Sequence, residues 1–506
     1  MNSLEGLSTI SVELAGSPLS SADAACLGNV LVQQRLSLPS LCELRFFEPT
    51  DGLGQDISQV IGASLRVAVG GQTTPLFVGD VTAFEFIYGS DLRREVRIRG
   101  YDRLHRLRKR QPVRVHVKTD LGNLARELVG DLGFRIDGVY GGVVYNRLMQ
   151  TTQSDFELLT LIAQRSGLFF SVRDDLLQFL TLEGIGEPID LRLGQNLFNA
   201  QIEVNGDTAC RQVNTIGWDP LRVDHHRGTA AAARGGRIAQ AAAPPTAVGG
   251  SGTVTITGAS VQNASDAEGL AQAELDLRTA REVILSGACD GNANLQPGAI
   301  VRVSGVAASI EGQYVLTEVT HSCDPVRGFL SEIDTTPPTP LADLAASLTA
   351  PGVVTSVADP DRMGRVRVRL PTYDDLESEW MQVLSPGAGA NKGLIALPNV
   401  GDSVLVLLPE ACIGQGVILG GLYGSKGPHD SGVDGAAIKR FAIRSARGQQ
   451  LSFNDARGSV RMETAGGNFV DLAPGKLHIH ASSDLEISAP GRAIVISAKT
   501  IDFRKE

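Results

Sequence analysis

Apolar and polar residues alternate with a period of two in one stretch after another from the start of the chain to about residue 115: SLCELRFFE, SLRVAVG, PLFVGDVTAFEFIYG and REVRIRGYD, each bounded by Gly, Pro or Asp. That period marks strands with one buried face and predicts a barrel or sandwich. The period changes over 116–180. Leu121, Leu124, Leu128 and Leu132 fall at helical spacing, as do Phe156, Leu159, Ile162 and Ala163. Ser154 ahead of Asp155 and Glu157 predicts a helix start, and Gly167 its stop. Residues 181–338 return to strands, broken by one helix over ASDAEGLAQAELDLRTAREV with Leu270, Leu275 and Leu277 as its apolar side. They also contain RGTAAAARGGRIAQAAAPPTAVGGSG, near 222–252. That run offers too little apolar surface to order itself, so a mobile surface loop is expected. TTPPTP at 335–340 closes the region, and 339–351 reads as a linker.

About five short strands follow over 352–424, in GVVTSVADPD, GRVRVRLP, EWMQVLSPGAG, KGLIALPNVGDSVLVLLPE and GQGVILGGLYG, a pattern that suits a small Greek-key barrel of the OB type. Residues 425–445 read as a second linker. From 446 the tail repeats, and its last part falls into eights: LHIHASSD, LEISAPGR, AIVISAKT, IDFRKE. Leu477, Leu485, Ala493 and Ile501 form one column, and Ile479, Ile487, Val495 and Phe503 the next. Each octad supplies a short strand and a sharp corner.

A ribbon of octads has too few inward apolar groups to hold itself together. Burial of a large side chain contributes about 1.5 to 3 kcal/mol, whereas ordering the backbone costs about 1 to 2 kcal/mol per residue. Three copies wound about one axis bury every inward column and pair every edge. The expected fold class is therefore mostly β and multidomain, ending in an intertwined trimeric β-prism whose core is Leu477, Ile479, Leu485, Ile487, Val495, Ile501 and Phe503.

Composition sharpens this picture in a few places. The formal charge of −10 disfavours general nucleic-acid binding, and 57 glycines with 23 prolines suit many turns and short strands. Cys26, Cys42, Cys210, Cys289, Cys323 and Cys412 are scattered singly, which points to reduced thiols in a protein made in the cytosol. MNSLEGLSTISVELAG lacks the basic start and apolar core of a secretory signal, and no run of eighteen apolar residues occurs.

Candidate chemistry is sparse. His478 and His480 form an HxH pair, and three copies would offer six imidazoles to a metal, but Leu477 and Ile479 hold the inward parity and turn the pair to solvent. His225 and His226 read as solvated surface. Between Arg93 and Lys118 stand eleven Arg or Lys residues against Glu95 and Asp102, which favours a protein contact surface over nucleic acid, since stacking aromatics are nearly absent. Asp359 and Asp361, like Asp374 and Asp375, read as turn formers. No HExxH, GxSxG or P-loop is present. No catalytic residue, cofactor site or metal site is assigned.

RGYDRLHRLRKR at 99–110, QTTQSDFELLTLIAQRSGLFFSV at 150–172, and the barrel stretches GRVRVRLPTYDD, EWMQVLSPGAG, LPNVGDSVLV and VILGGLYG, followed by the octads, resemble the Vgr-family spike proteins of contractile injection systems. The resemblance covers nearly the whole chain. It implies a hub of two similar barrels (1–115 and 181–338, with 116–180 inserted), pseudo-sixfold against a hexameric inner tube, and a threefold tip that punctures an envelope when the sheath contracts. It implies a homotrimer, baseplate partners, possible effector cargo, and a PAAR-type tip protein seated near Ile501, Phe503 and Arg504. The sequence passes directly from Gly424 toward the prism, leaving no room for the lysozyme domain of some phage spikes, and stops at Glu506 without a toxin domain. A non-enzymatic structural protein, made without a signal peptide and assembled into the particle's baseplate, is therefore expected. A cell-wall hydrolase and an OB-type single-strand binder stay as alternatives.

Overall fold

The computed structural model describes residues 10–504 except 51–52, 54–59, 71–73, 91–92, 140–141, 220–223, 240–241, 262, 342–347, 409–415 and 425–426. The chain divides into two compact units, Met1–Gly421 and Leu422–Glu506.

The alternating strands of the first unit build one eleven-stranded sheet that runs through both halves of the hub. Its middle is the antiparallel pair Leu27–Arg35 with Glu318–Asp324, elements nearly three hundred residues apart, in register from Arg35 opposite Glu318 to Val30 opposite Cys323. On one side of this seam the sheet encloses a core that includes Val32, Leu44, Phe46, Leu65, Val67, Val96 and Ile98. On the other, with the four-stranded sheet of Ile185–Arg192, Ala299–Ser304, Gly312–Val315 and Ile238–Ala239, it encloses Leu197, Leu285, Val301, Tyr314, Val319 and Ile333. The mostly β, multidomain architecture expected from the alternation is what forms.

The α-helices among the described residues are α1 (Ser21–Cys26), α2 (Leu121–Val129), α3 (Asp155–Arg165) and α4 (Ala264–Arg281). α2 is capped by Asp120, which accepts the Asn123 N–H at 2.7 Å. α3 starts with a capping box: Ser154 Oγ accepts from the Glu157 N–H at 3.3 Å, and Glu157 accepts the Ser154 N–H at 2.8 Å. The spaced leucines of α2 and the apolar face of α3 share one core with Phe170 and Phe179.

The stretch near 222–252, expected as a mobile loop, contains paired strands. The Ala-rich run holds a strand, Asp224–Ala230, paired along its length with Gln212–Asp219, and a short one at Ile238–Ala239. It orders by close approach rather than by bulk. Ala230, Ala271, Leu275, Val213 and Cys210 form a small core, and Arg234 pairs with the buried Asp276 at 2.8 Å. The buried side of α4 is correspondingly Ala267, Ala271, Ala273, Leu275 and Leu277, with Leu270 left half-buried, because small residues let the helix lie against the strand.

Buried titratable groups give the hub a pH signature. Asp102 lies wholly inside, accepting the Ser40 N–H at 2.6 Å and the Leu104 N–H at 2.9 Å, and desolvation pushes its carboxyl up to about 6. His321 is also buried. Its Nε2 donates to the Leu295 carbonyl at 3.1 Å and its Nδ1 accepts from Ser331 Oγ at 2.9 Å, while desolvation lowers it to about 4. The folded state thus holds the Asp102 proton more tightly than the unfolded chain, and stability from this group grows as pH falls from about 6 toward 4. His321 acts oppositely, losing stability as pH falls from about 6.5 through 4. Asp102→Asn removes the first contribution, so its urea midpoint is expected to fall more steeply between pH 6.5 and 4 than that of the unsubstituted chain. Parallel profiles would refute this assignment.

Candidate interaction surfaces

The tail provides the most distinctive surface. Arg440–Arg444, Gln450–Asn454, Ser459–Glu463, Phe469–Ala473 and Lys476–His480 form a five-stranded antiparallel meander in sequence order. Gly475, at φ +77°, makes the last tight corner. The register puts Phe441 opposite Phe453, Ile443 opposite Leu451, Leu451 opposite Met462, Phe453 opposite Val460, Val460 opposite Leu472 and Met462 opposite Val470. Val470 and Leu472 then face Ile479 and Leu477. Because side chains alternate, these ten apolar residues share one face, two columns wide and five strands long. In the single chain none is buried; Leu477 is 61% exposed and Met462 53%.

The other face is polar. Arg461 pairs with Glu463 at 3.0 Å and lies 3.8 Å over the Phe469 ring, against which His478 packs edge-on and His480 stacks, each at 5.0 Å between centroids. The HxH pair therefore belongs to the polar face, with Asp471 opposite His478. Among the described residues no group of three or more His, Cys, Asp or Glu is placed to hold a metal. Residues 481–504 form no strand among those described, and Leu485, Ile487, Val495, Ile501 and Phe503 are exposed there; Arg504 pairs with Asp502 at 2.7 Å.

The basic run of the hub is largely engaged within the chain. Arg97 pairs with Glu95 at 2.5 Å, Arg99 with Glu85 at 3.2 Å, Arg106 with Asp80 at 2.8 Å, Arg110 with Asp131 at 2.5 Å and Arg114 with Asp155 at 2.8 Å. Arg108 lies 4.9 Å over the Phe156 ring. Arg108 thereby ties the turn Arg103–Lys109 to α3, and Arg106 ties it to the strand Phe77–Tyr88. His225 and His226 stand on the strand Asp224–Ala230, opposite Trp218 and Gly217.

Residues beyond the hub fold into a six-stranded sheet around Val354, Val366, Val368, Met381, Val404, Val406 and Ile418. Asp359 closes one of its loops by accepting the Met363 N–H at 2.8 Å and both arms of Arg365, which hold its carboxyl well below the usual carboxylate range. Asp374 and Asp375 sit at φ +51° and +58° in a turn.

The barrel is joined to the hub by residues that no sequence pattern singles out. Val115 and Met149, from the ribbon of Arg114–Thr119 and Tyr145–Gln150, enter the barrel's core, and Arg147 donates to the Ser378 carbonyl at 3.2 Å. Gln164 of α3 holds the extended segment before the barrel, accepting the Leu341 N–H at 2.9 Å and donating to its carbonyl at 3.4 Å. That segment walls a cavity of about 400 Å³ lined by Leu36, Phe156, Phe169 and Leu277. Met149→Ala, which removes a buried side chain from the shared core, is expected to cost about 2 to 5 kcal/mol. It should also separate a barrel transition from the hub transition in calorimetry; a single unshifted transition would show that the junction carries no load.

With this geometry in hand, likeness to known proteins is informative. Residues 350–423 match the type VI secretion system/phage-baseplate injector OB domain. A chain of the Francisella PdpA–VgrG complex has a similar fold, with TM-score 0.56 and 9% identity over 93% of this chain and 79% of that one. So does an Escherichia coli component of the type VI secretion system, described as structurally similar to the bacteriophage T4 tail proteins gp27 and gp5, with TM-score 0.54 and 15% identity over 78% and 96%. A prophage tail protein from Shewanella oneidensis matches with TM-score 0.50 and 13% identity over 64% and 97%. At these identities the likeness is one of fold. The β hub, the injector OB domain and the β tail stand in that order along the chain, an arrangement similar in fold to these type VI and phage-tail proteins. The chain belongs to the family of the Alg8 N-terminal domain, whose model matches residues 61–324, more than half of its length. Among the described residues no helix is long and apolar enough to cross a membrane.

Proposed function

We propose that the chain is the homotrimeric central spike of a contractile injection particle, non-enzymatic, and acting by shape and stiffness. The observation that carries this reading is the tail's apolar face. A strip two side chains wide across five strands is too narrow to seat a second layer of its own chain, yet three such strips around one axis cover one another as a three-sided prism. Residues 446–506, together with the strand Arg440–Arg444 that pairs onto them, are the prism in this reading, with Leu485, Ile487, Val495, Ile501 and Phe503 extending its core beyond Leu477 and Ile479. The hub halves at 1–115 and 181–338 face a hexameric inner tube and baseplate proteins. Ile501, Phe503 and Arg504 meet a PAAR-type tip protein, and any enzymatic cargo travels on another chain. Extensive ion pairing across the basic run supports a protein partner over nucleic acid.

Electron microscopy of particles assembled with and without this chain tests the proposal. With it, threefold density is expected at the centre of the baseplate, on the axis of the tube. Normal baseplates carrying a full spike in its absence would refute the assignment.

A further inference from the structure

The tail makes two different demands on a partner. Between Arg440 and His480 the inner strands are already paired on both sides within the chain, so what lacks cover is the side-chain face. Beyond His480 the situation changes. The backbone there makes a corner bond from the Arg492 N–H to the Ala489 carbonyl at 2.9 Å, and the Ser482 N–H reaches the Asn468 side chain at 2.7 Å, but no strand pairing is present among the described residues. Ile487 is 65% exposed and Val495 83%. Backbone groups taken out of water need partners, and beyond those two bonds the described residues of this segment have no backbone partner in their own chain.

The same two apolar columns run through both parts. Leu477 and Ile479 end the meander, and Leu485 with Ile487 repeat them one octad later. Whatever covers the first part therefore covers the second, and in the homotrimer reading, on which this inference rests, that is another copy of the chain. One strand edge is free to receive a neighbour, since Lys476–His480 is paired on one side alone.

We infer that the tail closes in two stages by two kinds of contact. Preformed meanders first meet face to face, through non-directional apolar burial that needs no backbone rearrangement. Residues 481–504 then form strands between chains and lock the trimer. Pairing without local partners is slow to form, and once formed it is slow to undo because every strand must be released together.

Subunit exchange distinguishes the stages. Full-length chains labelled with donor or acceptor dyes are mixed and energy transfer is followed, with masses measured in parallel. The octad variant Ile487→Ser with Val495→Ser is expected to remain trimeric but to exchange about 100-fold faster than the unsubstituted protein, since it loses the lock alone. The control Ile487→Val with Val495→Ile should keep exchange slow. The meander variant Met462→Ser with Ile479→Ser should instead slow trimer formation after dilution from denaturant, by about tenfold or more. Octad-variant exchange as slow as that of the unsubstituted trimer, a monomeric octad variant, or unchanged assembly of the meander variant would each overturn two-stage closure. A monomeric unsubstituted chain would overturn the homotrimer reading itself.

Discussion

A full-length chain carrying Asp at both Met462 and Leu472 stays monomeric at concentrations where the unsubstituted chain is trimeric. Both positions lie in the apolar columns on central strands of the meander, paired with Val470 and Val460. In the single chain their side chains are 53% and 49% exposed, so the carboxylates remain hydrated and the meander's hydrogen bonds are untouched. In a trimer the same substitutions place six carboxylates in a closed apolar core. Leaving even one ionised and unpaired there costs several kcal/mol, so association loses more free energy than the lost methyl groups alone account for. Light scattering at several concentrations reads the outcome. A trimer that persists would mean that this strip is not where the copies meet.

The second large effect is expected at Gly228. A Cβ there would fall 2.2 Å from the Ala267 carbonyl carbon and 2.3 Å from the Glu268 nitrogen, backbone atoms of α4 that cannot swing aside. Gly228→Val therefore forces the helix off the strand Asp224–Ala230 and opens the small core of Ala230, Ala271 and Leu275. A loss of about 3 kcal/mol or more in chemical unfolding is expected. A change below about 0.5 kcal/mol, the scale of an ordinary surface substitution, would show that the Ala-rich run is not packed against α4.

These sites show where the sequence was readable and where it was not. Strands whose burial follows period two, and the capped helices α2 and α3, announce themselves because their own side chains supply the buried surface. The run around 224–239 does not, since its order derives from how closely a helix far along the chain can approach it. Pairs such as Arg106 with Asp80 and Arg110 with Asp131 hide for a related reason: the acids lie outside the basic stretch and reach it through the fold. The tail was half legible. Its last octads stand in register by eye, whereas the meander from Arg440 to Glu463 uses longer spacings, so Phe441, Ile443, Leu451, Phe453, Val460 and Met462 escape an eight-residue rule. The structure places them in the same two columns as Leu477 and Ile479. Val115 and Met149, which join hub to barrel, carried no signal, because a residue that plugs a distant core looks like any other strand apolar residue.

Sedimentation equilibrium of the intact protein probes the matter most directly. One species with three times the mass of a single chain, unchanged on dilution, is the predicted result. A well-folded species with the mass of one chain across the whole range would contradict it, leaving an apolar strip that no copy of the chain covers.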